Sequence, residues 1–378
     1  MITHIRIDGF KSFLDFELDV PPLLALVGPN SSGKSNLFDA LTFLREAPFP
    51  RALIDSPRGR SHELFHQVNK GDPVVFFHVV AETLTRFEAD LLAMVNHSEA
   101  GQSSGPRFAF LLGHTRLDQL PESIRAGVAE TSERVRQSEF DPAQSMALLH
   151  GERETWRLYQ PDPVRMRNAA DEADRGALRS DGGNLAAVLG RLHGTSVFDD
   201  LVNDFLALTP DVVGIEPYLD ERRGEWLFDV LVDGEGKVAS RLLSDGTLRI
   251  LGFLAALHDP DHPGVILVEE IENGLHPSRL AELLQRIERR VTDFNDPASL
   301  NEPLRQVIMT THSPVVVSEL YRLRRESLIF LNTAVRVDPE NDRVSRVTVA
   351  KPVRDGGEPG TFVSPRQVRA FLSTVGPV

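Results

Sequence analysis

Apolar positions follow two patterns along this chain, one with a period of two and one in unbroken runs. Residues 16–20 alternate apolar and polar side chains, which is typical of a strand with one buried face. Residues 23–27 and 265–268 form short continuous apolar runs, and 306–311 contain Val307, Ile308 and Met309 together, as in strands buried on both faces. Leucine, isoleucine and valine recur at helical spacing from Leu280. The succession of these segments predicts an α/β protein.

A strand-rich region at the start of the chain is followed by a different kind of sequence. Residues 74–80 and 107–112 favour two further strands, whereas 47–72 are rich in Pro, Gly, Arg and His and predict a loop. Residues 113–183 are polar and mixed in charge, which favours an inserted, largely helical subdomain. The predicted division is an N-terminal part, 1–112, a helical insert, 113–183, and a C-terminal part, 184–378.

Strands and helices alternate through the C-terminal part. A helix is predicted from 184, and a hairpin over 226–238. Ser244 is predicted to be the N-cap of the helix that ends near 258. The last predicted elements are strands at 328–331 and 344–349 and a helix at 364–373.

The stretch 28–35 has the spacing G-x-x-x-x-G-K-S and stands between a predicted buried strand and a predicted helix. Glycines there let the backbone approach a phosphate, and N–H groups of the loop and the helix start converge on the anion. Lys34 would reach the β- and γ-phosphates, and Ser35 would bind Mg²⁺. A chance lysine in a glycine- and serine-rich loop is the alternative, and the flanking elements argue against it. The predicted nucleotide-binding residues of the loop are Asn30, Ser31, Ser32, Gly33, Lys34, Ser35 and Asn36.

Composition restricts the class of protein. The 378 residues are 41% hydrophobic and 25% charged, which is ordinary for a globular protein of one large or two ordinary domains. The absence of cysteine excludes disulfides and thiolate metal sites. Since the sequence shows neither a signal peptide nor a membrane-spanning run, we expect a cytoplasmic protein with no membrane partner. A net charge of −14 argues against non-specific binding of nucleic acid by the whole surface.

Two of the buried strands end in side chains that suit ATP chemistry. Glu269 and Glu270 follow 265–268, and carboxylates at the carboxyl end of a parallel strand can hold Mg²⁺ through water and activate an attacking water. His312 follows 306–311 and can donate a hydrogen bond to a γ-phosphate. Each feature alone is compatible with a plain strand end, but their order after the phosphate loop favours an ATPase.

Together these motifs resemble the ABC-type ATPase heads of the SMC/RecF superfamily, and especially the compact OLD-like AAA family ATPases of prokaryotes, many of them found in DNA repair and phage defence. The matching segments are 7–13, 28–36, 243–247, 267–277 and 311–314. The resemblance implies a P-loop fold of ABC/SMC-head type with a mixed sheet, an N-terminal β-rich lobe, a helical lobe and the helical insert. OLD proteins carry a TOPRIM nuclease domain after the head, and we expect none after Ser313.

The resemblance assigns a role to each matching residue. Ser244 and Gly246 belong to the signature that reaches the γ-phosphate bound by the partner in a head-to-head dimer. Glu269 stands at the acidic position associated with Mg²⁺, Glu270 at that of the catalytic base, and His312 is the switch histidine.

Some positions match less closely. Lys11 and Ser12 correspond to a position that contacts nucleotide in related heads. Glu269 replaces the usual Asp, and its longer side chain would shift the Mg²⁺ geometry and slow hydrolysis. Asp245 stands where transporter heads have Gly. The metal-sensing glutamine has no clear match, and Gln67 is the candidate.

The expected function is that of an ATPase that uses ATP and Mg²⁺, forms a homodimer around two ATP molecules, and serves DNA repair or anti-phage defence through a separate effector protein. DNA binding and oligomers larger than this dimer are left open. The alternatives are a non-hydrolysing ATP-dependent switch or scaffold and the ATPase subunit of an ABC transporter. The signature Ser-Asp-Gly-Thr at 244–247 argues against the transporter.

Overall fold

A computed structural model describes residues 1–46, 66, 74–83, 88–96, 107–110, 156–262, 264–294, 296, 299, 303–338 and 343–373. The chain divides into two compact units. The first comprises Met1–Val20, Pro29–Glu154 and Leu331–Ala350, and the second Pro21–Gly28, Thr155–Phe330 and Lys351–Val378. The phosphate loop from Pro29 onward therefore belongs to the first unit, and Glu269, Glu270 and His312 belong to the second.

The described residues of the first unit are mostly strands, whereas the second unit combines strands and helices. The strands are β1 (Ile2–Asp8), β2 (Phe16–Asp19), β3 (Leu23–Val27), β4 (Val74–Thr83), β5 (Glu88–Asn96), β6 (Arg107–Phe110), β7 (Trp156–Tyr159), β8 (Ala170–Asp171), β9 (Val212–Asp220), β10 (Glu225–Val232), β11 (Gly236–Ala239), β12 (Gly264–Val268), β13 (Arg305–Thr311), β14 (Leu328–Asp338) and β15 (Arg343–Pro352). The helices are α1 (Lys34–Glu46), α2 (Pro163–Met166), α3 (Leu185–Leu192), α4 (Ser196–Leu208), α5 (Asp245–His258), α6 (Pro277–Arg290), α7 (Pro314–Leu323) and α8 (Pro365–Ser373), with 3₁₀ turns at Ser240–Leu242 and Arg325–Ser327.

An antiparallel sheet in the order β2-β1-β4-β5-β6 forms the first unit, together with α1 and most of β14 and β15. The predicted alternation in β2 is confirmed, since Phe16 and Leu18 are buried while Glu17 and Asp19 are exposed. Helix α1 buries Leu37, Phe38, Leu41 and Leu44 and packs against β4 and β5. This packing fixes the helix that begins at Lys34.

A parallel sheet is the centre of the second unit. Strand β3 pairs with β13, β13 with β12, and β12 with β7, all in parallel, while Leu328–Phe330 of β14 pair with the other side of β3. Every residue of β3, β12 and β13 is buried, which confirms the prediction of strands covered on both faces. Because these strands are parallel, their carboxyl ends lie at one edge of the sheet.

Helices and a small antiparallel sheet complete the second unit. Strand β10 pairs with β9, β11 and β8, and α3 to α7 contribute to one continuous core. Helix α5 buries a stripe formed by Leu248, Leu251 and Leu254. The N-cap predicted for this helix is confirmed, because Ser244 Oγ accepts a hydrogen bond from the Thr247 N–H.

The predicted insert 113–183 does not have the predicted boundary. Strand β7 lies inside that range but pairs with β12 in the parallel sheet of the second unit, and 160–183 contain only the short helix α2 and strand β8. A largely helical insert is therefore wrong for 156–183, and 113–155 lie outside the described residues. Sequence patterns also missed α4, β9 and α7. Among the described residues, no helix is long and apolar enough to cross a membrane.

Candidate nucleotide site

The phosphate loop has the local geometry of an anion-binding turn. Helix α1 begins at Lys34 and has no acidic residue in its first turn, so its unpaired N–H groups face no carboxylate of their own helix. Gly33 has a φ of +100°, a left-handed conformation that favours glycine. Lys34 is 7% exposed, and its Nζ donates a hydrogen bond to Pro29 O at 2.9 Å. Glycine, helix start and lysine therefore fit a bound phosphate.

The predicted loop residues differ in exposure. Asn30, Ser31 and Ser35 are exposed, Asn36 is half-buried, and Ser32 and Gly33 are buried. The exposed Ser35 side chain at the start of α1 is the loop's candidate Mg²⁺ ligand.

Lys11 and Ser12 lie in a tight turn of the first unit. Lys11 has a φ of +47°, and its Nζ donates to Asp39 Oδ2 of α1 at 2.6 Å. His66 braces this turn, because its N–H donates to Gly9 O at 2.7 Å and its Nδ1 lies 2.6 Å from Lys11 O. Burial lowers the pKa of His66, which favours the neutral ring, and a carbonyl only accepts, so the hydrogen is on Nδ1. The side chains of Lys11 and Ser12 both make hydrogen bonds to the protein.

Three neighbouring strand ends of the second unit carry polar side chains. Gln160 follows β7, Glu269 and Glu270 follow β12, and His312 follows β13. Because these strands are adjacent and parallel, the residues share one edge of the sheet. We call this group, together with Glu272, the acidic edge.

Glu270 is held in an unusual backbone conformation. Its φ is +48°, in the left-handed region that non-glycine residues seldom adopt. Its N–H donates to Thr310 Oγ1 at 2.9 Å, and its carbonyl accepts from the Asn273 N–H at 2.9 Å. Asn273 Nδ2 also donates to Glu270 Oε2 at 2.7 Å. Contacts from two segments thus fix both the backbone and the carboxylate, as is common for residues under functional constraint.

Glu269 contacts a glutamine that the sequence motifs did not indicate. Gln160 Nε2 donates to Glu269 Oε2 at 3.0 Å. The preceding residue, Tyr159, is buried, and burial raises its pKa, so the phenol stays protonated and donates to Arg249 O at 3.2 Å. This bond ties the end of β7 to α5. The predicted metal-sensing residue, Gln67, lies outside the described residues.

His312 is attached to the segment that follows Glu270. Its N–H donates to Glu272 Oε1 at 2.8 Å, and its Nδ1 lies 3.2 Å from the same oxygen. The side chain of Glu272 is 12% exposed, whereas that of His312 is 53% exposed. Glu272 therefore orients the histidine from the protein side while much of the ring faces outward.

The signature segment is braced by an arginine. Arg167, which follows α2, donates to Leu243 O at 2.8 Å and to Asp245 Oδ1 at 2.6 Å. Ser244 between them is exposed. Gly246 lies against Gly274, so closely that a side chain at 246 would overlap the Gly274 carbonyl oxygen. The signature is thereby placed against the loop 273–276.

The chemistry of these side chains fits nucleotide and Mg²⁺ rather than a metal held by protein alone. Among the described residues, no group of three or more His, Asp or Glu side chains could hold a metal ion. The Ser35 hydroxyl of the first unit and the carboxylates of Glu269 and Glu270 in the second are each oxygen ligands of the kind that suits Mg²⁺, which usually keeps waters and substrate phosphates as other ligands. The residues are those of an ATPase head of ABC/SMC type.

Comparisons with known proteins agree with this class. Residues 23–318 match the family described as "AAA domain, putative AbiEii toxin, Type IV TA system", and the chain belongs to this family. A crystal structure of an Smc head bound to the C-terminal winged-helix domain of ScpA has a TM-score of 0.50 and 14% identity, covering 92% of this chain and 98% of that one. The Pyrococcus furiosus Smc head with an extended coiled coil, bound to the C-terminal domain of ScpA, gives the same TM-score and identity with 92% and 96% covered.

One curated relative matches over a short stretch. The chromosome partition protein Smc of Methanocaldococcus jannaschii is 48% identical over 44 residues, which is 11% of this chain and 4% of that protein. The predicted α/β class and P-loop fold of ABC/SMC-head type are confirmed by the structural similarity. The predicted class of protein, an ATPase of ABC/SMC type, is confirmed by the family match and the fold.

Sequence reasoning missed several residues around the site. Gln160 follows Trp156, Arg157, Leu158 and Tyr159 and precedes Pro161, a pattern that favours a strand end, but it fell inside the supposed insert. Thr310 and Arg167 belong to no motif, and only the pairing of the strands and the fold of the signature segment bring them to Glu270 and Asp245.

Proposed function

We propose that this protein is an ATP- and Mg²⁺-dependent ATPase that dimerises head to head around two nucleotides. The phosphate loop binds the phosphates through its N–H groups and Lys34, and Ser35 binds Mg²⁺. When bound, Mg²⁺ neutralises charge on the phosphates and helps to align them. Glu270 orients the attacking water and accepts its proton. Ser244 contacts the γ-phosphate held by the partner subunit, and its exposure supports this role.

The observation that carries the proposal of hydrolysis is the fixed conformation of Glu270. A general base acts best when it is already oriented, because reorientation during the reaction costs free energy. Asn273 and Thr310 hold Glu270 without neutralising it, since an amide and a hydroxyl carry no charge. A protein that only bound ATP would not need a carboxylate held in this way.

Gln160 is our candidate for the metal-sensing glutamine, in place of Gln67. It stands at the end of the strand next to β12 and donates to Glu269, the acidic residue associated with Mg²⁺. A neutral amide can leave the carboxylate and accept a metal-bound water with its oxygen. While the amide stays bound to Glu269, the longer side chain of this residue keeps one orientation.

The process served by the ATPase is proposed to be DNA-related, either repair or anti-phage defence. The short match to a chromosome partition protein supports a link to DNA, and the family description supports defence. Because both Smc heads of similar fold are bound to a domain of ScpA, we propose that a separate protein also acts with this chain. The net charge of −14 restricts DNA contact to a local surface or to that partner.

ATP hydrolysis at several protein concentrations, with and without double-stranded DNA, tests the proposal. We expect a rate that rises faster than protein concentration, because the site needs a second subunit. Glu270→Gln should abolish turnover and leave a dimer with bound ATP in light scattering. Lys34→Ala should abolish binding and dimerisation together.

Each result has a distinct meaning. A monomer for Glu270→Gln at saturating ATP would contradict the head-to-head dimer. Tight ATP binding without turnover under every condition would favour the ATP-dependent switch. Co-purification with a membrane protein would favour the transporter subunit.

A further inference from the structure

Strand β15 brings a buried hydroxyl to the back of the phosphate loop. Thr348 is 3% exposed, and its Oγ1 lies 3.0 Å from Ser32 O and 2.7 Å from Ser12 Oγ. Asn36 Nδ2 of α1 lies 2.8 Å from the same Ser12 Oγ. The Thr348 N–H also donates to Ser12 O at 2.8 Å. The loop, the turn at Ser12 and β15 are thus joined by consecutive hydrogen bonds.

The direction of this chain of hydrogen bonds follows from donor chemistry. A carbonyl only accepts, so the single Thr348 hydroxyl hydrogen goes to Ser32 O. The Ser12 hydroxyl therefore donates to Thr348, and the Asn36 amide donates to Ser12. The side-chain bonds therefore run in one direction, from Asn36 through Ser12 and Thr348 to the Ser32 carbonyl, and bonds aligned in this way polarise and strengthen one another.

We propose that Thr348 is a positioning residue for nucleotide binding, an inference that rests on the proposed binding of ATP. The peptide between Ser32 and Gly33 is planar and trans, so its carbonyl and its N–H point in opposite directions. By holding the Ser32 carbonyl on the protein side, Thr348 turns the Gly33 N–H the other way. That N–H belongs to the glycine-rich turn that cradles phosphate.

The close approach at Gly33 restricts this peptide further. A side chain at 33 would overlap Thr348 Oγ1, and the φ of +100° already favours glycine. Without the Thr348 hydroxyl, the buried Ser32 carbonyl loses its hydrogen-bond donor. The peptide between Ser32 and Gly33 can then rotate until the carbonyl finds a different donor. Binding of the phosphates should weaken, equally for ADP and ATP, because both carry the β-phosphate that this loop contacts.

Calorimetric titration of ADP and ATP into the full chain tests the proposal. Thr348→Val keeps the shape but removes the hydroxyl, and we expect roughly tenfold weaker binding of both nucleotides. Thr348→Ser restores the hydroxyl and should bind within about twofold of the original protein. Ser345→Ala is the matched control, since Ser345 is a buried serine of β15 whose hydroxyl has no partner among the described residues. The affinity of Ser345→Ala for ADP and ATP should not change.

Failure of this inference differs from failure of the proposed function. If Lys34→Ala abolishes binding but Thr348→Val binds ADP as tightly as the original protein, the role of Thr348 is overturned and ATP binding stands. If the original protein binds neither nucleotide, the proposed function is overturned.

Should Thr348→Val fail to fold, Ser12→Ala is the second variant, because it removes the hydroxyl that donates to Thr348. Roughly threefold weaker ADP binding is then expected, and unchanged affinity overturns the inference.

Discussion

The α-carbon of Gly246 in the signature lies against the carbonyl oxygen of Gly274. Gly274 has a φ of +77°, so both positions depend on the absence of a side chain. The signature helix and the loop 273–276 are therefore in backbone contact. If one segment is displaced toward the other, the second must move with it, because two backbones in close contact leave no free space between them.

Gly246→Ala should lower ATP turnover more than it lowers nucleotide affinity. The new methyl group overlaps the Gly274 carbonyl, and overpacking of this kind costs about 1–3 kcal/mol in unfolding free energy or displaces the loop. Steady-state kinetics and chemical denaturation measure the two effects. Gly356→Ala is the control, since a side chain there meets open space. Wild-type kinetics for Gly246→Ala would show that the contact has no role in turnover.

Gln160→Ala should raise the Mg²⁺ concentration needed for half-maximal ATP hydrolysis. The variant removes the amide that holds Glu269 Oε2, so the carboxylate loses its fixed orientation. A shift of roughly three- to tenfold corresponds to one hydrogen bond to a charged group. A Mg²⁺ titration of the hydrolysis rate measures it.

Two further variants serve as controls for Gln160→Ala in the Mg²⁺ titration. Gln285 Nε2 donates to Glu319 Oε1 at 2.8 Å in the same unit, so Gln285→Ala removes a similar bond away from the acidic edge and should leave the Mg²⁺ requirement unchanged. Gln67→Ala should also leave it unchanged. A shift for Gln67→Ala but not for Gln160→Ala would restore Gln67 as the metal-sensing residue.

Arg167→Ala should reduce ATP turnover strongly and stability only slightly. Arg167 holds both the Leu243 carbonyl and Asp245, whereas Asp245→Asn leaves the first bond intact and should have the smaller effect. The Asp245 side chain is 66% exposed, so the ion pair itself contributes only about 0–1 kcal/mol. Arg165→Ala removes the ion pair between Arg165 of α2 and Asp181, close in sequence to Arg167, and serves as control. Equal turnover for Arg167→Ala and Arg165→Ala would contradict a role in positioning the signature.

Much of the fold could be predicted because its central strands are rich in apolar residues. The runs at 23–27, 265–268 and 306–311 are buried on both faces, and such strands carry no competing pattern. Helix α4 was missed even though Thr195 caps it, since its acidic residues obscure the apolar stripe formed by Phe198, Leu201 and Phe205.

The site could be predicted only where its residues stand in motifs. Lys34, Glu270 and His312 follow directly from the chain order of loop, acidic strand end and histidine. Thr348 and Gln160 could not be found in this way, because strand pairing brings them to partners 316 and 109 residues away. Gln160 also illustrates how a wrong domain boundary hides a candidate site residue.

A buried histidine should make the stability of the second unit depend on pH. Burial and the nearby positive charge of Arg157 lower the pKa of His262 from 6.5 to about 4. The unfolded chain therefore binds a proton below pH 6.5 that the folded chain refuses until about pH 4, so the free energy of unfolding falls as pH falls through this window. The full loss is roughly 3 kcal/mol, and about 2 kcal/mol should be lost between pH 7.5 and 5. Urea denaturation at these two pH values measures the difference.

His262→Gln should remove this part of the pH dependence, whatever it does to stability at pH 7.5. His193→Gln controls for loss of an exposed imidazole. An unchanged difference in His262→Gln would show that other groups cause the pH dependence.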